Sequence, residues 1–271
     1  MSYLSREAAP FSEGLWEKID ATIIKTARHS LVGRRFLHVL GPLGVGVQSV
    51  PIDDADVIEE VEKDGLITTS GRRFAEIPLI YEDFTLLARD LESAKKSGFP
   101  VDLSKAAQAA EACALKEDNL IFWGSKDAGY TGLLTTPGAQ KVEKKDWNIG
   151  ENAFTDITAG IIALSGKGFY GTYSLLLSLD LYMQLQRIQP GTGLLEIERI
   201  SKLVNNHIYP ARALGPGKAV LAASDEMNMD LVIGQDMAAA YLEQKDLNHS
   251  IRILETVVPR FKRKEAIVIF E

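Results

Sequence analysis

Residues 101–134 read VDLSKAAQAAEACALKEDNLIFWGSKDAGYTGLL, and their reading decides how the rest of the chain is understood. Over 103–122 there is neither Gly nor Pro, and Ala dominates, a composition that favours helix. Asp102 is placed to cap that helix, because its side-chain oxygen can accept an orphan amide of the first turn. Leu103, Ala106, Ala107, Ala110, Ala114 and Leu115 recur at three- and four-residue spacing, which gives one apolar but shallow face. So much Ala lets neighbouring elements approach closely, so the helix reads as a spine. Beyond it, Gly124, Gly129 and Gly132 turn the chain.

The composition sets bounds around this spine. A chain of 271 residues with 46% apolar residues can bury a sizeable core in one or two domains. A formal charge of −7 argues against a nucleic-acid surface, which needs a basic stripe. The single cysteine, Cys113, excludes an internal disulfide, and its place among alanines reads as a small buried apolar group. The opening residues MSYLSRE show no basic-then-apolar leader, and no apolar run approaches the roughly 18 residues of a membrane span. A soluble, cytoplasmic protein is expected.

N-terminal to the spine, Trp16, Ile19, Ile23 and Ala27 form a helical stripe that predicts a first helix from Ser12 to near Leu31. Residues 47–84 read as two long strands joined at a tip, where Asp64-Gly65 suits a hairpin turn. Asp53, Asp54, Asp56, Glu59, Glu60, Glu62 and Asp64 make this arm acidic. Arg72 and Arg73 at its base, and Arg260, Lys262, Arg263 and Lys264 near the C-terminus, are its candidate basic counterparts. Residues 150–224 read as a compact sub-domain, with Phe154, Ile157, Ile161 and Leu164 on one helix and a buried strand over 172–178. Asp180 is placed to cap a helix over 181–188, and 195–204 reads as another helix. Between these two helices, Gln189-Pro190-Gly191-Thr192-Gly193 forbids helix continuation and forms a loop. Residues 225–271 return to strands and are expected to rejoin the spine domain.

No enzyme signature accompanies these elements. His29, His38, His207 and His249 lack the spacing of a metal site, and no Gly-x-Ser-x-Gly elbow occurs. The glycine-rich stretch 41–46 is followed by neither Lys-Ser nor Lys-Thr, so it reads as a turn and not as a phosphate loop. Glu117 and Asp118, adjacent on the spine, point different ways and read as surface or subunit-contact residues.

Glu117-Asp118, Ile121-Phe122, Gly124 and Gly132-Leu133 resemble the signature of the encapsulins, also called the linocin-type bacteriocin family. Leu31-Val32-Gly33-Arg34-Arg35-Phe36, Gly41-Pro42-Leu43-Gly44, Val47-Gln48-Ser49-Val50 and Ile77-Pro78-Leu79-Ile80-Tyr81 match in the same order. So do Leu195-Glu196-Ile197-Glu198 and Asn228-Met229-Asp230-Leu231, which extends the resemblance over nearly the whole chain.

The resemblance implies an α+β chain with the HK97-type phage major capsid fold: spine helix, extended β-hairpin arm and axial sub-domain. The implied division is 1–46 for the N-terminal helix and start of the peripheral domain, 47–84 for the arm, and 85–149 for the rest of the peripheral domain with the spine. The axial sub-domain takes 150–224, and 225–271 returns to the peripheral domain. The implied function is a non-enzymatic shell subunit that assembles with itself into an icosahedral cage. It encloses a cargo enzyme held by a short C-terminal peptide, with ferritin-like iron-storage cargo first and a dye-decolourising peroxidase as the alternative. A phage or prophage capsid protein and a stand-alone bacteriocin or hydrolase are the rival classes. Leu31, Val32, Arg34 and Phe36, with Gln235 and Asp236 as a second wall, match the family's cargo-peptide groove. Residues 189–193 match its five-fold pore loop, although an ordinary turn fits them equally. Asp53, Asp54, Asp56, Glu59, Glu60, Arg72 and Arg73 belong to the inter-subunit arm. No cofactor, nucleic acid or membrane is implied; Arg89 lies in the segment where some relatives carry a flavin-stacking tryptophan.

Overall fold

The structure, a computed structural model, describes residues 3–52, 58–189, 191 and 193–271. In chain order its first elements are α1 (Glu13–Ser30), β1 (His38–Leu40), β2 (Ser49–Pro51), β3 (Glu59–Lys63), β4 (Leu66–Ser70), β5 (Phe74–Glu76) and β6 (Leu79–Leu86). There follow α2 (Ala88–Ser97), α3 (Ser104–Phe122), β7 (Gly124–Ser125), β8 (Tyr130–Thr131), β9 (Gln140–Val142), α4 (Asn152–Gly166) and β10 (Tyr173–Leu177). The chain closes with α5 (Leu179–Gln184), α6 (Glu196–Leu203), β11 (Ile208–Pro210), β12 (Ala219–Ala223), β13 (Met229–Lys245), β14 (Asn248–Phe261) and β15 (Ile267–Phe270).

Both long helices form where their composition places them. The Ser12 hydroxyl accepts the amide of Leu15 at 3.3 Å, and α1 buries Trp16, Ile19, Ile23 and Ala27. α3 packs its Ala-rich face on α1 and on the sheet strands β6 and β14. Asp102 stands just outside the helix: its carboxylate accepts the Ser104 amide at 2.9 Å, while Leu103 occupies the cap.

Two sheets hold the core. The first is four-stranded in the order β1-β13-β14-β6, with β13 and β14 forming one long antiparallel hairpin. The second is five-stranded in the order β11-β10-β12-β15-β9. Here the sequence reading is corrected. The C-terminal strand β15 does not return to the spine domain; it pairs antiparallel with β12 and parallel with β9, inside the sheet of the sub-domain. Its four residues are all buried, so Ile267, Val268, Ile269 and Phe270 complete that sheet's apolar layer.

The arm is also redrawn. It is two short ladders, β2 with β5 and β3 with β4, and β6 leaves it to pair with β14 in the first sheet. Ile80, Phe84 and Leu86 alternate inward on β6, so their burial fixes that strand in the core. The Asp64-Gly65 tip forms as expected, with φ of 54° and 78°. Asp180 lies in the first turn of α5 and not at its N-cap, which Ser178 occupies; its carboxylate accepts the amide of Gly217 at 2.9 Å and so ties α5 to the turn before β12.

After α3 the chain doubles back, with Gly124 opposite Thr131 across β7–β8. A Cβ on Gly132 would stand 2.5 Å from the carbonyl carbons of Phe122 and Trp123, against backbone that cannot yield. Gly132→Ala should therefore destabilise the subunit by at least about 2 kcal/mol, in the range of overpacked cores. Chemical denaturation of the two proteins measures it, and equal midpoints would show that the turn shifts freely.

Candidate functional site

The segment between α1 and β1 carries the residues the sequence singled out first. It starts with Leu31, Val32 and a 3₁₀ turn at Gly33–Arg35. The amides of Val32 and Gly33 point at α3, and the Asp118 carboxylate accepts both, at 3.0 and 2.8 Å. Burial pushes the Asp118 carboxyl up to about 7, against the two amide bonds that favour its charged form. A Cβ on Gly33 would overlap the terminal methyl of Ile121, so a larger residue here would have to displace that side chain.

One residue earlier on α3, and about 100° round the helix, Glu117 meets Arg34. Arg34 Nε lies 2.9 Å from Glu117, and its Nη2 lies 2.6 Å from Glu117 and 2.7 Å from Glu255 of β14. Its Nη1 bonds Asp236 of β13 at 2.7 Å. The side chains of Glu117 and Glu255 are fully buried, whereas Asp236 is exposed. Burial alone would lower the guanidinium pKa, but its three carboxylate partners outweigh that and raise it. Glu255 is pushed well up, first by burial and then by the charge of Glu117 beside it. Glu117 and Asp118 are thus not surface residues, as their sequence suggested, but buried anchors on two flanks of the spine.

The positions matched to a peptide groove divide sharply. Leu31, Val32 and Phe36 are 5%, 7% and 7% exposed, too little to offer side chains to a ligand without opening the core. Leu31 packs with Ala27 and Ala114, and Phe36 stacks on Phe122 at 6.1 Å. Arg34, Gln235 and Asp236 do come together. The Gln235 amide donates to Thr256 Oγ1 at 2.7 Å, and its side chain donates to the Asp236 carbonyl at 2.9 Å. The guanidinium fork of Arg34 is occupied by carboxylates, so the accessible group here is Asp236.

The loop at 189–193 is braced at its neck. Ile188 and Leu195 form an antiparallel bridge, and the Gln189 amide donates to the Leu194 carbonyl at 2.8 Å. Gln189 Nε2 donates to Glu151, which also pairs with Arg199. Arg187 and the buried Glu196 pair at 2.6 Å. Gly191 and Gly193 both have positive φ, whereas Pro190 and Thr192 lie outside the described residues.

On the arm, Glu59 and Glu60 are exposed along β3, and Arg72 and Arg73 are exposed on the return strand's approach. The Arg73 carbonyl accepts the Ile52 amide at 3.0 Å, which closes the arm's base. Asp53, Asp54 and Asp56 lie outside the described residues. Two proposed basic counterparts are engaged within the chain: Arg260 and Lys262 both pair with Asp230, at 2.6 and 2.8 Å. Burial opposes the charge of Asp230, but these two cations hold its carboxyl below the usual range.

Cys113 is buried on α3, and burial pushes its thiol up to about 12. Among the described residues no group of three or more His, Cys, Asp or Glu side chains could hold a metal ion. No helix among them is long and apolar enough to cross a membrane.

The chain matches the family model Linocin_M18, described as an encapsulating protein for peroxidase, over residues 1–258. It is 40% identical to the type 1 encapsulin shell protein EncA of Myxococcus xanthus, over 99% of this chain and 96% of that one. It is 37% identical to a diheme-cytochrome-encapsulin shell fusion protein of Kuenenia stuttgartiensis, over 94% of this chain and 72% of the other. A ferritin-like-encapsulin shell fusion protein of Pyrococcus furiosus shares 23% over 74% of this chain and 54% of its own. In fold it is similar to the virus-like particle from Pyrococcus furiosus, with a TM-score of 0.77 at 22% identity over 95% of this chain and 99% of the other. It is also similar to the capsid of Myoviridae phage XM1, with a TM-score of 0.63 at 15% identity over 86% and 88% of the two chains. The α+β arrangement described above is therefore the HK97-type capsid fold.

Removing the Arg34 side chain would leave Glu117 and Glu255 buried without their cation. Arg34→Ala should cost about 3–5 kcal/mol, the usual result of stranding a buried charge. Thermal unfolding at neutral pH reads the loss, and an unchanged midpoint would mean that the cluster contributes nothing to holding the segment.

Proposed function

We infer the function from one premise: the chain belongs to the encapsulin family of shell proteins. It is a shell subunit with a capsid fold. We read it as assembling into a closed icosahedral cage in the cytoplasm, with confinement as its role and chemistry left to an enclosed enzyme. The observation that carries this reading is the arm. Leu66 and Ile67 on the β3–β4 ladder and Phe74 on the β2–β5 ladder are 74%, 67% and 62% exposed, and a two-stranded ladder is at best marginally stable as an isolated unit. Other copies of the chain are the partners that cover it.

The cargo is held on the inner wall by a short C-terminal peptide at the surface formed by Gln235 and Asp236, with Arg34 behind them. Leu31, Val32 and Phe36 support that surface from within the core. The cargo we favour is a ferritin-like iron-storing protein, a reading supported by the fused relative of that description. A peroxidase is the alternative, supported by the description of the matching family. Each peptide contact is weak, because ordering a flexible tail costs several kcal/mol of its gross interaction energy. Many sites facing one lumen offset this through effective concentration. The loop at 189–193 lines the five-fold pore.

Expressed alone, the protein should form closed hollow particles by gel filtration and negative-stain microscopy; a monodisperse monomer or dimer would overturn the assignment. Deleting residues 53–68 should leave a folded subunit, since the apolar Leu66 and Ile67 in that segment are exposed and add nothing to its core, but should block or alter closure. Shells of unchanged size and thermal stability would make the arm a solvated loop.

Docking is tested at the exposed wall. Asp236→Lys should lower the cargo that co-purifies with intact shells several-fold, with iron content and haem absorbance identifying which cargo is lost. Equal occupancy in mutant and wild type would place the peptide elsewhere.

A further inference from the structure

Three carboxylates converge on one guanidinium where α3, β13 and β14 meet the 31–36 turn. Arg34 gives Glu255 one bond, to Oε2 at 2.7 Å, while Glu255 Oε1 is buried with no hydrogen-bond partner. Glu117, also fully buried, takes the remaining inward-facing donors of Arg34, and Asp236 takes the outward one. Two ionised carboxylates side by side in a buried site, with a third close by and one cation between them, cannot all keep their charge. A proton on Glu255 resolves the arrangement, because its O–H can then donate to Glu117.

We propose that Glu117 and Glu255 hold one proton between them, and that this proton fastens the 31–36 turn to the spine, so that rising pH opens this part of the subunit first. The neighbouring groups define where the effect can be read. From the turn, Arg34 and Arg35 supply positive charge, with Arg35 acting on Asp118. From α3 come Glu117, Asp118 and Cys113, and from β13 comes Asp236. Lys116 of α3 and Glu82 of β6 pair with each other at 2.5 Å beyond Cys113, and Asp83 of β6 is held by Arg252 at 2.7 Å.

When the turn opens, Glu255 meets water and returns to the ordinary glutamate range near 4.3. It then releases its proton, and the closed state is favoured at low pH and loses ground as pH rises. One proton released on opening means that the opening equilibrium grows about tenfold per pH unit. Asp118 titrates near 7 in the closed state, below the useful window. An exposed thiol is half-ionised near 8.5, so Cys113 adds only a roughly twofold effect at the top of the window.

The experiment is hydrogen exchange of the purified full-length protein at pH 7.5 and 8.5, corrected for the intrinsic chemical rate. Its reporters are the Val32 and Gly33 amides, bonded to Asp118. In the wild type their protection should fall with pH across that unit, the Glu255 proton contributing up to about tenfold. Glu255→Gln keeps an N–H donor toward Glu117 and an acceptor for Arg34 but has nothing to titrate, so its protection should fall no more than about two- to threefold, the share left to Asp118 and Cys113. Equal pH slopes in the two proteins overturn the proposal, as does a flat wild type. Should Glu255→Gln fail to fold, infrared spectra of wild-type protein carrying carbon-13 glutamate decide: a protonated glutamate carbonyl band retained at pH 7.5 supports the shared proton, and its absence overturns it. None of these readouts depends on whether the subunits form a closed shell.

Discussion

The guanidinium of Arg34 is the contact on which the rest of the subunit depends. Its donors are spent on Glu117, Glu255 and Asp236, which belong to a helix and two sheet strands far apart in sequence. Arg suits the position because its planar fork presents several donors in fixed directions, which a lysine cannot do. A buried cluster of this kind adds little net stability against an apolar alternative, yet every wrong arrangement strands a charge. Its effect is to allow one placement of the 31–36 turn. Asp118 acts beside it by holding two backbone amides of the same turn.

That placement carries to the second sheet. The polar side of the turn is clamped to α3 and β14, and its apolar side offers Phe36 to Phe122 and to Tyr209 of β11, with ring centroids 6.1 Å apart in each case. Trp123, at the end of α3, donates its indole N–H to the Ala213 carbonyl at 2.8 Å. The sub-domain thus meets the spine at Phe122, through Phe36, and at Trp123, both at the C-terminal end of α3. β15 and β9 complete that sheet from distant parts of the chain, so the sub-domain cannot be cut out as one continuous stretch.

How much of this is legible in sequence follows from the range of the forces involved. α1 and α3 are local: periodicity and the Ser12 cap specify α1, and Ala content with the absence of Gly and Pro specifies α3, each within a few residues of the observed ends. The Asp64-Gly65 tip is local as well. The partners of β6 and β15 are not, because an alternating or apolar run states that a strand is buried but not beside which strand. Glu117 and Asp118 misled for a related reason. Adjacent charges on a helix ordinarily mark a solvated face, and only the crevice between the 31–36 turn and β14 makes both flanks of α3 interior. No spacing rule links Arg34 to Glu255, 221 residues later.

The arm shows the same physics turned outward. Its base is fixed by a small apolar cluster in which Val50 and Ile77 pack on Val232 and Val258 of the first sheet. Beyond that base, among the described residues, Leu66, Ile67 and Phe74 face solvent on narrow ladders. Exposed strand edges with apolar side chains invite indiscriminate pairing. Glu59, Glu60, Glu62 and Asp64 crowd the same hairpin, and like charges disfavour stacking one arm directly on another in register. The hairpin therefore combines an apolar surface that needs a cover with a charge pattern that rejects its own mirror. A surface that satisfies both conditions must offer apolar contact with a neutral or basic surround, and selective capture of that kind is what ordered assembly requires of an arm.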